Sequence, residues 1–564
     1  MPTFSDILKR HYEQTPDKIC VTLLHAGRPD LPLSYLDLVH GSAGYVATYK
    51  HHGIQPGDVI LLVLQHGVDL LYSYFGAVLQ GAIPAIMPFL TEKLLPERYR
   101  ADLAGLISIS QPTAIVTYPE FELEVRAAIK PDHDLVKTII VSNQVEGPCS
   151  PQFSSFDGLR RKPGDIALLQ HSSGTTGLQK GVALSYQAVI NQLDNYAKAI
   201  HLTDADVFIS WLPLYHDMGL IACWLMPILK GCPLVLMSPF DWIRAPYRLL
   251  QSVSKYKGTV SWLPNFAYNF CAQKIRAREL EGVDLSTWRA ISNCSEPMRW
   301  ESHKAFFERF QTLGLHYESL CTCYAMAENV FAVTQGGIDG PVVYEDIDRE
   351  TLQSKNVARA ARPGQIVVRM MSTGKVIQNT TVRIINNKGQ ALPDRHVGEV
   401  TINSDCMLTG YYHREDVTNK AFLDGWYLTG DYGYLVEGEL YITGRKKDLI
   451  IIGGKNIYPQ DLELLAYRVP GVHPGRASAF GVFNEATGTE DVVLVAEVDE
   501  DDPDKRFEID DAIRSSVTRG SAIALRYIHL VRHPWLIKTS SGKTARSANR
   551  DKFLKEIQAK GQQF

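Results

Sequence analysis

The chain is poor in the features that mark several large classes of protein. Its 564 residues hold nine cysteines, an odd number, with no C-x-x-C and no Cys/His pair at zinc spacing. A disulfide framework and a zinc ribbon are not expected, and thiols kept reduced in a cytoplasmic setting fit best. The most apolar run, Met218 to Leu229, is closed off by Asp217 and Lys230, well short of the about 20 residues a membrane span needs. The opening Met1-Pro-Thr-Phe-Ser-Asp6 leads into Lys9-Arg10-His11 with no apolar segment behind it, so no secretory signal is read there. Basic excess is missing too. Lys plus Arg number 58 against 62 Asp plus Glu, a net charge of −4, and nucleic acid is not an expected partner.

What is present is the balance of a protein able to bury large cores, 45% hydrophobic and 21% charged. Strands are predicted at Val59–Leu64, Ala85–Pro88, Ala114–Thr117, Thr138–Val141, Ile166–Gln170, Pro233–Met237 and Thr259–Leu263. Amphipathic stretches such as Val68–Leu79 lie between them, and Ser185 is a plausible N-cap for a further helix. Strand and helix alternating in this way predict an α/β fold with largely parallel sheets. Past Gln335 the strands shorten (Val382–Ile385, Gly398–Ile402, Gly438–Ile442) and are separated by Gly, Asn and Asp, which reads as a smaller β-rich part. After Gly444 a unit of its own begins, with an acidic run at Asp499-Glu-Asp-Asp-Pro503-Asp that is most simply a solvated loop.

The segment His171-Ser172-Ser173-Gly174-Thr175-Thr176-Gly177-Leu-Gln-Lys180 carries the strongest chemical signal. Glycines let backbone amides approach an anion, hydroxyls add donors, and the lysine neutralises charge. A polyphosphate is the natural guest. The Walker A order is absent, because Lys180 precedes Gly181 and the residue five before Gly542 in Ser541-Gly-Lys543-Thr544 is Ile537. The nucleophile elbow is absent as well, since Gln170 occupies the first position of G-x-S-x-G.

This segment resembles the phosphate loop of the adenylate-forming superfamily. Further matches follow in family order: Tyr324-Ala-Met-Ala-Glu328, Thr429-Gly-Asp431, Gly444-Arg445-Lys-Lys447-Asp448, Gly453-Gly-Lys-Asn456 and Ser541-Gly-Lys543-Thr-Ala-Arg546. Within the superfamily, Trp211-Leu-Pro-Leu-Tyr-His216-Asp217-Met-Gly-Leu220, Pro264-Asn-Phe-Ala-Tyr268, Asp284-Leu-Ser-Thr-Trp288, Glu296-Pro297 and Tyr458-Pro-Gln-Asp461-Leu-Glu463 are similar to the fatty acyl-AMP ligases. The long gap between Glu328 and Glu399 places that subfamily's insertion within about 338–371.

The resemblance implies a two-step ligase. ATP and a fatty acid would give acyl-AMP and pyrophosphate, and the phosphopantetheine thiol of an acyl carrier protein would take the acyl group. Coenzyme A as acceptor and a non-catalytic adenylate-binding relative are the alternatives. The implied architecture is a large N-terminal body over 1–443, with two α/β subdomains and a small β-rich one, and a small mobile α+β C-terminal domain over 444–564. The implied cofactors are ATP and Mg²⁺; a monomer or weak dimer is expected.

By the same resemblance, Lys543 would bridge carboxylate and α-phosphate, and Glu328 would hold Mg²⁺ with Thr175. Ser172, Ser173, Gly174, Thr175, Thr176, Gly177 and Lys180 would cradle phosphates. Tyr324 would stack on adenine, Asp431 and Arg445 would hold ribose, and Asn293, Ser295, Glu296, Pro297, Ala325 and Met326 would complete the nucleotide set. His216 would line the acyl entrance. Trp211, Met218, Trp262, Pro264 and Phe266 are candidate acyl-pocket walls, though such residue types are as readily plain core. Lys447 matches the hinge, and Gly453-Gly454 the loop that enters for transfer. The basic segment from Lys538 to Lys560 offers Arg550 and Lys552 to an acidic carrier. Four positions depart from the pattern: Cys294-Ser295 for Gly-Ala, Ala325 for Gly and Gln179 for Pro.

Overall fold

Parallel strands form where runs rich in Val, Ile and Leu alternate with helices that carry one apolar face. The computed structural model describes residues 1–88, 96–130, 134–172, 180–452, 455–485, 489–521, 523–539 and 542–559. The strands Ala114–Thr117 and Thr138–Val141 and the helix Val68–Gln80 stand where the sequence pattern puts them. Ser185 caps the helix Tyr186–Ala199, its hydroxyl accepting the Ala188 amide at 3.1 Å. The apolar run after Asp217 is buried, as a π-helix over Met218–Leu225 followed by a short α-helix over Met226–Lys230.

Two large sheets result. One runs Gly410–Tyr411, Lys180–Ser185, Ile166–Ser172, Ile83–Ile86, Val59–Val63, Ala114–Thr117, Thr138–Val141. The other has a parallel core in the order Leu320–Ala325, Ala290–Cys294, Val260–Leu263, Phe208–Ser210, Leu234–Met237, Ile19–Leu24. It does not stop there. Antiparallel Ala332–Gly336 joins through Lys375–Val376 to Glu439–Arg445, Trp426–Val436, Gly398–Ser404 and Thr380–Ile385. The β-rich part read from the sequence is thus hydrogen-bonded to an α/β sheet rather than set apart from it.

Beyond Arg445 the chain leaves that sheet. The hairpin Ile450–Ile452/Lys455–Ile457 and the three-stranded sheet Val472–Asn484, Thr489–Val498, Tyr527–Val531 are packed with the helices Pro459–Tyr467, Pro503–Ser521 and Arg546–Ala559. This α+β unit has its own apolar core around Leu462, Ala479, Leu494 and Val517. Strands Tyr344–Asp348 and Val367–Met371 form a separate antiparallel pair with the helix Arg349–Lys355 between them.

Candidate active site

In open α/β sheets, ligands sit beyond the C-terminal ends of parallel strands. Those ends here deliver Trp211 after Phe208–Ser210, Pro264 after Val260–Leu263, Ser295 after Ala290–Cys294 and Met326 after Leu320–Ala325. Sequence and topology therefore bring most of the motif residues to one edge. Ser295 has φ +73°, a left-handed conformation uncommon outside glycine, and its hydroxyl lies 3.9 Å from the Met218 sulfur. The side chain of fully buried Asn293 donates to Asn265 Oδ1 at 3.1 Å and lies 3.0 Å from His303 Nε2.

One wall is polar. The Tyr324 hydroxyl donates to Asp431 Oδ2 at 2.7 Å, and Arg445 Nε stands 3.4 Å from Asp431 Oδ1. Asp431 and Arg445 meet because they are register partners on adjacent antiparallel strands. Burial, then the Asp431 charge, pushes the Tyr324 hydroxyl well above its ordinary value, so it remains a donor. Nearby, Glu328 accepts from the Tyr411 hydroxyl at 2.9 Å, which in turn pairs with the Tyr427 hydroxyl at 2.9 Å. Lys180 places its ammonium 4.7 Å over the Tyr411 ring. Two residues past Glu328, buried Val330 has φ +62° and ψ −54°, and the Phe331 amide bonds back to Asn329 O at 2.6 Å. That is a strained γ-turn, costly for a β-branched residue. It is held by Asn329, whose amide donates to Ala332 O at 2.8 Å.

The other wall is apolar. Trp211 lies flat on Trp242, ring centroids 3.6 Å apart and planes 5° from parallel, and Phe266 stands edge-on to both at 6.2 and 6.1 Å. Phe266 is 40% exposed at the start of the helix Asn265–Lys274, and its amide donates to Glu296 Oε2 at 2.9 Å. Trp262 is placed differently. Its indole N–H donates to the Tyr196 hydroxyl at 2.9 Å and its ring stacks on Phe208 at 5.7 Å, deep in the core.

Between the walls, His216 Nδ1 lies 2.5 Å from Asp217 Oδ1, and Asp217 caps the π-helix through the Met218 amide at 2.8 Å. Burial works against the Asp217 charge, but His216 and then Lys543 outweigh it and hold the carboxyl below its ordinary value. Lys543, from the C-terminal unit, is half-buried here. Burial and the Arg445 guanidinium push its ammonium below the usual lysine range, while Asp217 and Glu296 resist. Burial raises Glu296 in turn, against Lys543 and Lys538. Around the lysine, Thr539 N donates to Lys543 O and Gly542 N to Thr539 O, both at 2.8 Å.

A cationic arm from one unit, a carboxylate–hydroxyl cluster and an aromatic cluster thus converge around Lys543. The model of the family described as AMP-binding enzyme matches residues 8–412, most of the chain.

The chain belongs to the AMP-binding enzyme family.

It is 31% identical to the medium-chain-fatty-acid–[acyl-carrier-protein] ligase JamA of Moorena producens, over 98% of this chain and 96% of that one. It is 28% identical to the long-chain-fatty-acid–AMP ligase FadD32 of Mycobacterium marinum, over 89% of this chain and 85% of that one. Among solved structures, a fatty acyl-adenylate ligase from work on E. coli and L. pneumophila superposes with TM-score 0.88 at 27% identity, covering 99% of both chains. The L. pneumophila ligase in complex with acyl adenylate and pyrophosphate superposes with TM-score 0.73 at 29% identity, over 98% of this chain and 96% of that one. This AMP-binding enzyme groups with the fatty acyl-AMP ligases and is a ligase.

Several residues expected at the site lie outside the described residues of this AMP-binding enzyme: Ser173, Gly174, Thr175, Thr176, Gly177 and the loop Gly453-Gly454, together with the side chain of Ser172. Others were not legible beforehand. Trp242, Tyr411 and Tyr427 are buried behind the site, come from segments that carry no motif, and touch Trp211 and Glu328 directly or through one another. Lys446 pairs with Glu399 at 2.7 Å, beside the expected hinge Lys447. No helix among the described residues is long and apolar enough to cross a membrane.

Proposed function

We propose that this ligase activates a fatty acid as acyl-AMP and then passes the acyl group to the phosphopantetheine thiol of a carrier protein. In the first step a carboxylate oxygen attacks the α-phosphorus of ATP, the bond to the β-phosphate oxygen breaks, and pyrophosphate leaves. In the second, the thiol sulfur attacks the acyl carbonyl carbon, AMP leaves as the phosphate, and the thiol proton is lost to solvent. The supporting observation is Lys543 standing among Asp217, Glu296 and Arg445, where the polar and aromatic walls meet. Two anions must be brought together in a dry site, and a fixed cation there stabilises the charge that develops.

The polar wall suits a nucleotide. Asp431, oriented by Tyr324 and Arg445, would accept from both ribose hydroxyls. Glu328, oriented by Tyr411, offers hard carboxylate oxygen of the kind Mg²⁺ takes, and the ion would neutralise phosphate charge. His216 and Asp217 would border the substrate carboxylate, and the Trp211–Trp242–Phe266 cluster would wall the acyl chain. The C-terminal unit, taken as the domain over 444–564, would turn about Lys447 between the two steps.

The acceptor reading rests on the insertion. Glu350 takes Lys455 at 3.0 Å, Asn356 accepts from Asn456 at 2.7 Å, and Arg349 donates to Gly520 O, so the segment expected to be the insertion touches the C-terminal unit. On its other side Arg369 packs against both the Trp300 and Tyr344 rings, at 4.7 and 4.8 Å. A restrained unit favours an acceptor whose binding helps reposition it, as a folded carrier can. On the basic C-terminal face, Lys552 donates to Trp535 O at 2.8 Å, which leaves Arg550, 3.5 Å from Asp551, as the better carrier contact. Pyrophosphate release across a panel of fatty acids, followed by acyl transfer to carrier or to coenzyme A, tests the reading. Equal or faster transfer to coenzyme A would overturn the carrier assignment.

A further inference from the structure

We propose that Glu497 is a positioning residue for Lys543, fixing through backbone amides the loop that delivers the ammonium group. The inference rests on the role proposed above for Lys543. Glu497 lies on the strand Thr489–Val498 and is 0% exposed. Its Oε1 accepts two consecutive amides, Trp535 N at 2.7 Å and Leu536 N at 2.5 Å. Its Oε2 takes His533 Nδ1 at 2.7 Å and lies 3.6 Å from Arg476 Nη1. Burial opposes the charge, yet His533 and the two amides outweigh it and keep the carboxyl below its ordinary value.

From this clamp, hydrogen bonds among the described residues lead on to the lysine. Ile537 N donates to Asn549 Oδ1 at 2.7 Å, and Asn549 Nδ2 returns to Ile537 O at 3.1 Å. Ala545 N also donates to Ile537 O, at 3.1 Å, and Lys538 and Thr544 form an antiparallel bridge that closes the loop. Lys543 N then donates to Thr539 Oγ1 at 3.2 Å.

Packing does not require a carboxylate here. Leu536 and Phe553 already lie against Val493 and Val495, and a buried charge is costly unless its partners are all in place. An apolar contact holds a strand down but lets it slide, whereas one oxygen shared by two successive amides fixes its register. A misplacement of about 1 Å at a reacting group can lower a rate about 100-fold.

The test uses the full-length enzyme and separates the half-reactions. Adenylation is followed as pyrophosphate release from ATP and a fatty acid, and transfer as loss of synthetic acyl-AMP to phosphopantetheinylated carrier. E497Q keeps the shape and removes the charge. It is expected to lower kcat for adenylation by about 10- to 100-fold, with KM for ATP and fatty acid and the transfer rate near wild type. H533N, at a side chain 44% exposed, removes one partner and should give a smaller loss confined to the same step. Wild-type adenylation by E497Q, or parallel loss of both half-reactions, overturns the proposal. If E497Q does not fold, wild-type adenylation by H533N overturns it. A wild-type enzyme releasing no pyrophosphate with any fatty acid overturns the proposed function instead. The positioning role is then read by hydrogen exchange, where unchanged protection of 536–544 in E497Q or H533N sinks it.

Discussion

The two walls of the cleft are built by opposite means. On the polar side, Asp431, Tyr324, Arg445, Glu328 and Tyr411 are fixed by directional bonds between residues far apart in the chain. On the apolar side, the side chains of Trp211, Trp242 and Phe266 are fixed mainly by ring packing, with one backbone bond from Phe266 to Glu296. A hydrogen bond to a charged group fails abruptly when its partner moves, while an aromatic surface accommodates change gradually. Nucleotide recognition should therefore fall sharply with loss of single residues, and acyl recognition be adjustable.

The largest effect is expected at the cation both walls share. Lys543→Ala is expected to lower adenylation by about 100- to 1,000-fold, the scale for losing one preorganised charge stabiliser, while transfer from supplied acyl-AMP persists. Equal loss of both steps would end the division of labour. Next, Asp431→Ala should raise KM for ATP by about 10- to 100-fold, from two bonds to a charged group at about 1.5–3 kcal/mol each, partly replaced by water; an unchanged KM would place the ribose elsewhere. On the apolar wall, Trp211→Ala should cost about 3–5 kcal/mol of stability yet leave adenylation measurable, with the preferred acyl chain longer. A thermal melt and a chain-length profile read both, and abolished ATP use would erase the contrast between the walls.

The smallest expected effect is a shift in pH dependence. Lys543 acts as the charged ammonium, and burial with Arg445 holds its pKa below the ordinary value. Adenylation should therefore fall on the alkaline side earlier than a free lysine would dictate. Glu296 raises that pKa, so Glu296→Gln should move the alkaline limb to still lower pH. A limb that stays put, or moves upward, would show that another group sets it.

The strands were legible because each is a short run of Val, Ile and Leu bounded by turn residues, and Ala114–Thr117 needed nothing more. Motif order grouped Tyr324, Glu328, Asp431 and Lys543 without revealing what touches them. Tyr411 and Trp242 sit in unremarkable local sequence, and their placement follows from pairing Gly410–Tyr411 with Lys180–Ser185 and from the path after Leu234–Met237. Trp262 shows the reverse limit, since a tryptophan beside a motif proline packs with Tyr196 and Phe208 instead. The union of the β-rich part with an α/β sheet turns on one short strand, Lys375–Val376, too brief to carry a periodic signal.

The π-helix after Asp217 carries a consequence for how this chain tolerates length changes. In Met218–Leu225 the turns are wide, and the Met226 amide reaches back five residues to Ile221 O. Such a wide turn is the form a helix takes when it holds one residue more than α geometry accommodates. Removing a single residue anywhere in it would let the turns tighten and rotate its leading end, swinging His216 and Asp217 out of line with Lys543. Alanine substitutions in the same stretch keep the count and so the aim. The direction in which that pair points is thus held by arithmetic as much as by chemistry, and deletions there should be far less forgiving than replacements.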